Sequence, residues 1–143
     1  RGDREVVLEA VKHSGLALDY ASEALRGDRE LVLEAVNSHP YALEYASEEL
    51  RNDREVVMAM VKTSGLALKY ASEELRGDSE VVLVAVRENS YALEYASEEL
   101  RGDREVVMAM VSRVGLSASL RYASADLRYD RDVIDCGLGI KND

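Results

Sequence analysis

The 143-residue chain carries a formal charge of −10, with 18 Lys and Arg against 28 Asp and Glu. That field repels phosphate backbones and argues against nucleic acid as a partner. Cys136 is the single cysteine, so no intrachain disulfide can form and a reducing compartment such as the cytoplasm is compatible. No apolar run approaches the length of a membrane-spanning helix, which argues against membrane insertion.

Hydrophobic residues make up 47% of the chain, without Trp or Phe, so the core is expected to be Val, Leu, Ala and Met, edged by tyrosines. Arg1, Arg26, Arg51, Arg76 and Arg101 recur every 25 residues, and Arg128 follows after 27. This spacing predicts a single repeat domain over 1–143, with repeats 1–25, 26–50, 51–75, 76–100 and 101–127 and a degenerate cap at 128–143. The expected fold is all-α: a right-handed α-solenoid of 25-residue helical repeats with a degenerate C-terminal cap. The chain opens at Arg1 in mid-phrase, and it is expected to be a fragment of a longer array or a processed product.

Each unit begins with a helix of about three turns. In the second, Asp28 is the N-cap, Glu30 favours the first turn, and Leu31, Val32, Ala35 and Val36 make one buried stripe. The helix is expected to stop at a left-handed glycine in odd repeats (Gly15, Gly65, Gly115). Even repeats use Ser38-His39-Pro40-Tyr41 and Glu88-Asn89-Ser90-Tyr91, so the duplicated unit is read as two repeats, about 50 residues. The second half, such as Leu66 to Arg76, is either one helix or two segments broken at a Ser that caps a last turn, and the broken form is favoured. Gly2, Gly27, Asn52, Gly77 and Gly102 are expected to form left-handed turns between repeats. Asp135 replaces a Leu or Met, a costly exchange in a core. Two residues inserted between Gly115 and Tyr122 are expected to bulge.

The phrase Glu-Val-Val-Leu-x-Ala-Val, then x-x-Gly, then Leu-Ala-Leu-x-Tyr-Ala-Ser-Glu-Glu-Leu-Arg-x-Asp, closely resembles the tandem repeat family known as domain of unknown function 4116, found in bacteria, protists and algae. The resemblance covers residues 1–134. It implies an all-helical tandem repeat and supplies no activity or catalytic residue to transfer. The insertion in repeat five and the degenerate sixth copy depart from the pattern.

Four Arg-Gly-Asp tripeptides, starting at Arg1, Arg26, Arg76 and Arg101, are read as helix end, turn and cap, against the alternative of an adhesion signal. Glu48, Glu49, Glu73, Glu74, Glu98 and Glu99 are expected to interleave with Arg51, Arg54, Arg76, Arg101 and Arg104 as surface ion pairs, or else to dock a basic partner or bind divalent cations weakly. Tyr20, Tyr45, Tyr70, Tyr95 and Tyr122 are expected at the core edge with buried rings. His13 and His39 lack the companions of a zinc site, and Ser22, Ser47, Ser72, Ser97 and Ser124 are caps before nucleophiles. No catalytic residue, cofactor or metal is expected.

Three places vary between copies: the loop after the first helix, which includes His13 and His39; the series Glu9, Glu34, Ala59, Val84, Ala109; and the series Asp19, Glu44, Lys69, Glu94, Arg121. Variable positions on a constant frame are where repeat proteins write partner specificity. The expected contact set is Ala59, Val84 and Ala109, with Tyr41, Tyr91, His13 and His39. The expected function is a non-enzymatic protein-protein interaction scaffold for a protein partner with a basic surface. The alternatives are an accessory subunit of a larger assembly, or a regulatory or targeting module of a larger enzyme.

Overall fold

The computed structural model describes residues 3–115 and 120–140. Six longer helices follow the six Arg-x-Asp phrases: α1 (Arg4–His13), α3 (Arg29–Ser38), α5 (Arg54–Thr63), α7 (Ser79–Glu88), α9 (Arg104–Val114) and α11 (Arg131–Gly137). Each starts because an Asp side chain accepts the backbone N–H groups that the first turn leaves unsatisfied. Asp28 takes the Leu31 N–H at 3.0 Å and Asp53 the Val56 N–H at 3.1 Å. In α3 the buried stripe is Leu31, Val32, Ala35 and Val36, as expected.

The second half of each repeat is broken. A 3-10 segment comes first, at η1 (Gly15–Tyr20), η2 (Pro40–Tyr45), η3 (Gly65–Tyr70) and η4 (Ser90–Tyr95). A single helical turn follows: α2 (Glu23–Arg26), α4 (Glu48–Arg51), α6 (Glu73–Arg76), α8 (Glu98–Arg101) and α10 (Ala125–Arg128). The break is an extended Ala-Ser pair. Ser47, Ser72 and Ser97 cap the short turns by accepting the N–H of Leu50, Leu75 and Leu100 at 3.4, 3.2 and 3.3 Å. Their own N–H groups are thereby released from any helix and donate across the repeat boundary, to the carbonyls of Arg26, Arg51 and Arg76 at 3.0, 2.9 and 2.9 Å. Ser124 makes the same bond to Arg101 at 2.9 Å.

One hydrophobic cluster runs from Val7 to Val133, and no strand occurs among the described residues. Each longer helix packs on the longer helices before and after it, and each 3-10 segment on its neighbours. The junctions alternate. η1 lies closer to η2, and η3 to η4, than η2 lies to η3, and the odd 3-10 segments also press harder on the following long helix.

The glycines explain the alternation and correct the left-handed stops expected at Gly15 and Gly65, whereas Gly115 does end its helix with positive φ. Among the described residues only Gly115 and Gly139 have positive φ. Gly15 and Gly65 instead begin their 3-10 segments, where an added Cβ would stand 2.1 Å from the Ala35 carbonyl oxygen and 2.2 Å from that of Ala85. They are small for contact with the next repeat, not for handedness. At the even-to-odd junctions Pro40 and Ser90 take this position, and the buried Met60 and Met110 fill the wider gap where the even helices have Ala35 and Ala85.

The left-handed turns expected between repeats are also absent. Gly27 (φ −94°, ψ −1°), Asn52 (−101°, 3°), Gly77 (−99°, −1°), Gly102 (−95°, −2°) and Tyr129 (−113°, 3°) share one right-handed conformation, open to any side chain. Gly2 and the inserted stretch at 116–119 lie outside the described residues. Asp135 costs less than expected, because the position it shares with Leu8, Leu33, Met58, Leu83 and Met108 is half-buried in every repeat.

The two glycine classes respond differently to one methyl group. Gly65→Ala is expected to lose about 1–3 kcal/mol from forced displacement of α7, whereas Gly27→Ala, with no neighbour nearer than 3.6 Å, stays within about 0.5 kcal/mol. Urea unfolding of the two variants checks this; equal losses would remove the close-approach role.

Candidate interaction surfaces

The half-buried Met58, Leu83 and Met108 and their neighbours Ala59, Val84 and Ala109 hold equivalent positions on α5, α7 and α9, set by the 25-residue repeat. The three helices that carry the expected stripe residues pack in sequence, α5 on α7 and α7 on α9. On α1 and α3 the second position is Glu9 and Glu34, and on α11 the two positions are Asp135 and Cys136. An apolar strip three helices wide is therefore bounded by polar side chains at both ends.

Tyr41 and Tyr91 occupy a different surface, at the even-to-odd junctions. Tyr41 meets Tyr70 edge-on at 5.8 Å, and Tyr91 meets Tyr122 at 5.8 Å with the rings at 90°. A cation stands at each pair. Lys69 Nζ lies 4.5 Å from the Tyr70 ring centre and 5.9 Å from that of Tyr41, and Arg121 lies 5.8 Å from Tyr122. Contact with Tyr70, and then nearby phenols and Glu44, push the Lys69 ammonium above the ordinary lysine range, against its own desolvation. The tyrosines found only in even repeats and the variable Lys69 and Arg121 thus form one device. Sequence reasoning found both and separated them; the signal was that a basic residue stands before Tyr70 and Tyr122, the two that follow an even repeat.

The ladder tyrosines are more open than expected. Tyr45, Tyr70, Tyr95 and Tyr122 are half-buried, and Tyr20 is exposed. Burial, followed by Asp19 and Glu44, pushes the Tyr45 phenol up. His13 is exposed, with Nδ1 2.9 Å from the Glu9 carbonyl oxygen. His39 turns inward, its ring 5.5 Å from Tyr41 and its Nδ1 buried without a hydrogen-bonding partner among the described residues. Among those residues, no group of His, Cys, Asp and Glu is placed to hold a metal ion.

The charge lattice is displaced from the expected one. Ion pairs run from the first residue of one long helix to the cap and second residue of the next. Arg4 bonds Asp28 at 2.7 Å and Glu30 at 2.7 Å, Arg29 bonds Asp53 at 2.8 Å and also Glu55, and Arg54 bonds Asp78 at 3.3 Å and also Glu80. Arg104 reaches Asp130 and Asp132. Ser79 interrupts the series opposite Asp103 and Glu105. Of the expected acidic rows, Glu73 pairs with Arg76 at 3.8 Å and Glu74 accepts from Asn52 at 3.0 Å, across an open polar cleft between α4 and α6. The overlooked signal was the separation of 24 and 26 residues between each of Arg4, Arg29 and Arg54 and its two acids, widened by two at Arg104 after the insertion in repeat five.

These contacts, longer helix to longer helix and phrase to phrase, define an all-helical array of tandem repeats. The family described as Domain of unknown function (DUF4116) matches at residues 3–51 and 53–101, and the chain belongs to it. Each match spans one odd and one even repeat. Nothing among curated proteins or solved structures matches the chain.

Acid should weaken the ladder. Asp28 and Asp53 are held below the usual carboxylate range first by Arg4 and Arg29, and Asp78 first by the Val81 N–H and then by Arg54. A carboxyl that is more acidic in the folded state stabilises fully above its unfolded value of about 3.9 and loses that effect as pH falls through the lower folded value. Tm is therefore expected to hold from about pH 7 to 5 and fall below about pH 4, with a shallower fall for Arg29→Gln; parallel curves would exclude the Arg29 contribution. Completing the ladder with Ser79→Arg should raise Tm by about 1–3 °C, a gain that about 0.5 M NaCl removes by screening.

Proposed function

We propose that the chain is a non-enzymatic scaffold, a right-handed α-solenoid that holds a protein partner against the outer face of its longer helices. The observation that supports this is the strip of Met58, Ala59, Leu83, Val84, Met108 and Ala109. Where the first two repeats carry Glu9 and Glu34, the next three carry an apolar side chain with a Leu or Met beside it. Methionine side chains adapt to irregular apolar partners. The acidic balance of the chain, −10 overall, favours approach by a basic surface and sets its on-rate more than its affinity. The partner that fits is an amphipathic segment with an apolar face and basic flanks.

A glutamate at this position is compatible with the fold, since Glu34 stands half-buried at the equivalent place on α3. The double variant Ala59→Glu, Val84→Glu is therefore expected to keep its helical circular dichroism and lose at least about tenfold in retention of a partner captured by the original chain, a loss of about 1.4 kcal/mol or more. Affinity capture with quantitative mass spectrometry reads this. Equal capture by a folded double variant would move the contact elsewhere.

A further inference from the structure

The first repeat presents to solvent the side that every other repeat hides. Val6 is 65% exposed, whereas its counterparts Leu31, Val56 and Val81 are at 0% and Val106 at 1%. Ala10 is exposed where Ala35, Met60, Ala85 and Met110 are buried, and Tyr20 is 69% exposed where the other ladder tyrosines are half-buried. Val6, Val7, Ala10, Ala17 and Tyr20 line a mostly apolar hollow. At its edge Asp3 and Glu5 hold the places of Asp28 and Glu30, which receive Arg4 from the preceding repeat; neither has an ion-pair partner among the described residues.

Two kinds of repeat could cover such a face, and the residues on it choose between them. A face that receives Pro40 or Ser90 carries Met60 with Lys69, or Met110 with Arg121. A face that receives Gly15 or Gly65 carries Ala35 with Glu44, or Ala85 with Glu94. The first repeat carries Ala10 with Asp19. Its exposed side is thus of the close-approach kind, with a small residue on the helix and a carboxylate before the tyrosine, although its own glycine, Gly15, makes its other side odd.

We infer that this face is a seat for a glycine-bearing repeat of the same family, one with Arg at the first position of its long helix and Gly at the start of its 3-10 segment. The incoming glycine lies against the Ala10 carbonyl as Gly15 lies against that of Ala35, and the incoming guanidinium bridges Asp3 and Glu5. A second copy of this chain fits less well. Its last long helix offers Arg131, but its sequence has Asn142 and not Gly twelve residues after the capping Asp130.

The test joins one repeat ahead of Arg1 in the full chain: residues 51–75, which carry Gly65, in one protein, and residues 26–50, which carry Pro40, in the other. Hydrogen exchange of α1 is expected to slow at least about tenfold more with the first than with the second, and Gly65→Ala in the added copy should abolish the difference. Val6→Glu should leave the Tm of the unextended chain within about 1 °C and lower that of the glycine-bearing fusion by several degrees. Equal protection by both additions, or greater protection by the Pro40 repeat, would overturn the assignment. So would a concentration-dependent dimer of the unextended chain, seen by sedimentation and removed by Val6→Glu, which would give the face to a second copy.

Discussion

The structure depends on a backbone hydrogen bond made at four successive junctions among the described residues, from a serine N–H to the arginine carbonyl that ends the short helix before it. An N–H inside a continuous helix is already committed to its own fourth-preceding carbonyl. The helix must therefore stop at Ala-Ser for the bond to exist, and the serine side chain then caps the turn that resumes. The phrase Tyr-Ala-Ser-Glu-Glu-Leu-Arg follows from that requirement: ring at the edge, extended pair, cap, acids in the first turn, buried Leu, and Arg with the accepting carbonyl.

Around this constant bond the junctions differ in width. A glycine and an alanine let one pair of repeats close; a proline or serine and a methionine hold the next pair apart, and a tyrosine pair with a cation bridges the surface there. The family matches at 3–51 and 53–101 fall on the close pairs, so the recurring unit coincides with the tighter interface. Dispersion contacts explain why closeness matters, since each is small and their sum depends steeply on separation.

Much of this was legible from residue types alone. Asp before an apolar stripe marked each long helix, and Ser before two acids marked the broken second segment, because capping is local chemistry that a short stretch of sequence contains. The glycines misled for the opposite reason. A glycine required by positive φ and one required by a neighbouring carbonyl look identical in sequence, and the carbonyl at Gly15 belongs to Ala35, twenty residues on. The ion pairs were misplaced similarly: Asp28 declared itself as a cap, and its second role needed Arg4 from the repeat before. Ala59, Val84 and Ala109 hold equal register on helices that pack in sequence, which the repeat spacing alone implies, whereas the inward turn of His39 depends on packing that its neighbours in sequence do not specify.

The alternation of narrow and wide junctions also restricts how such an array can change over time. Excision of residues 51–75 would set Pro40 against Ala85, where no Cβ fits beside the carbonyl. Excision of residues 76–100 would set Gly65 against Met110, a bulky side chain in the narrow gap. Either single loss leaves a mismatched seam, while loss or gain of two successive repeats restores every seam to one already present. Descent of these arrays is thereby expected to count in steps of two, with odd-numbered events surviving where a repeat, like the first one here, carries a narrow face on both sides.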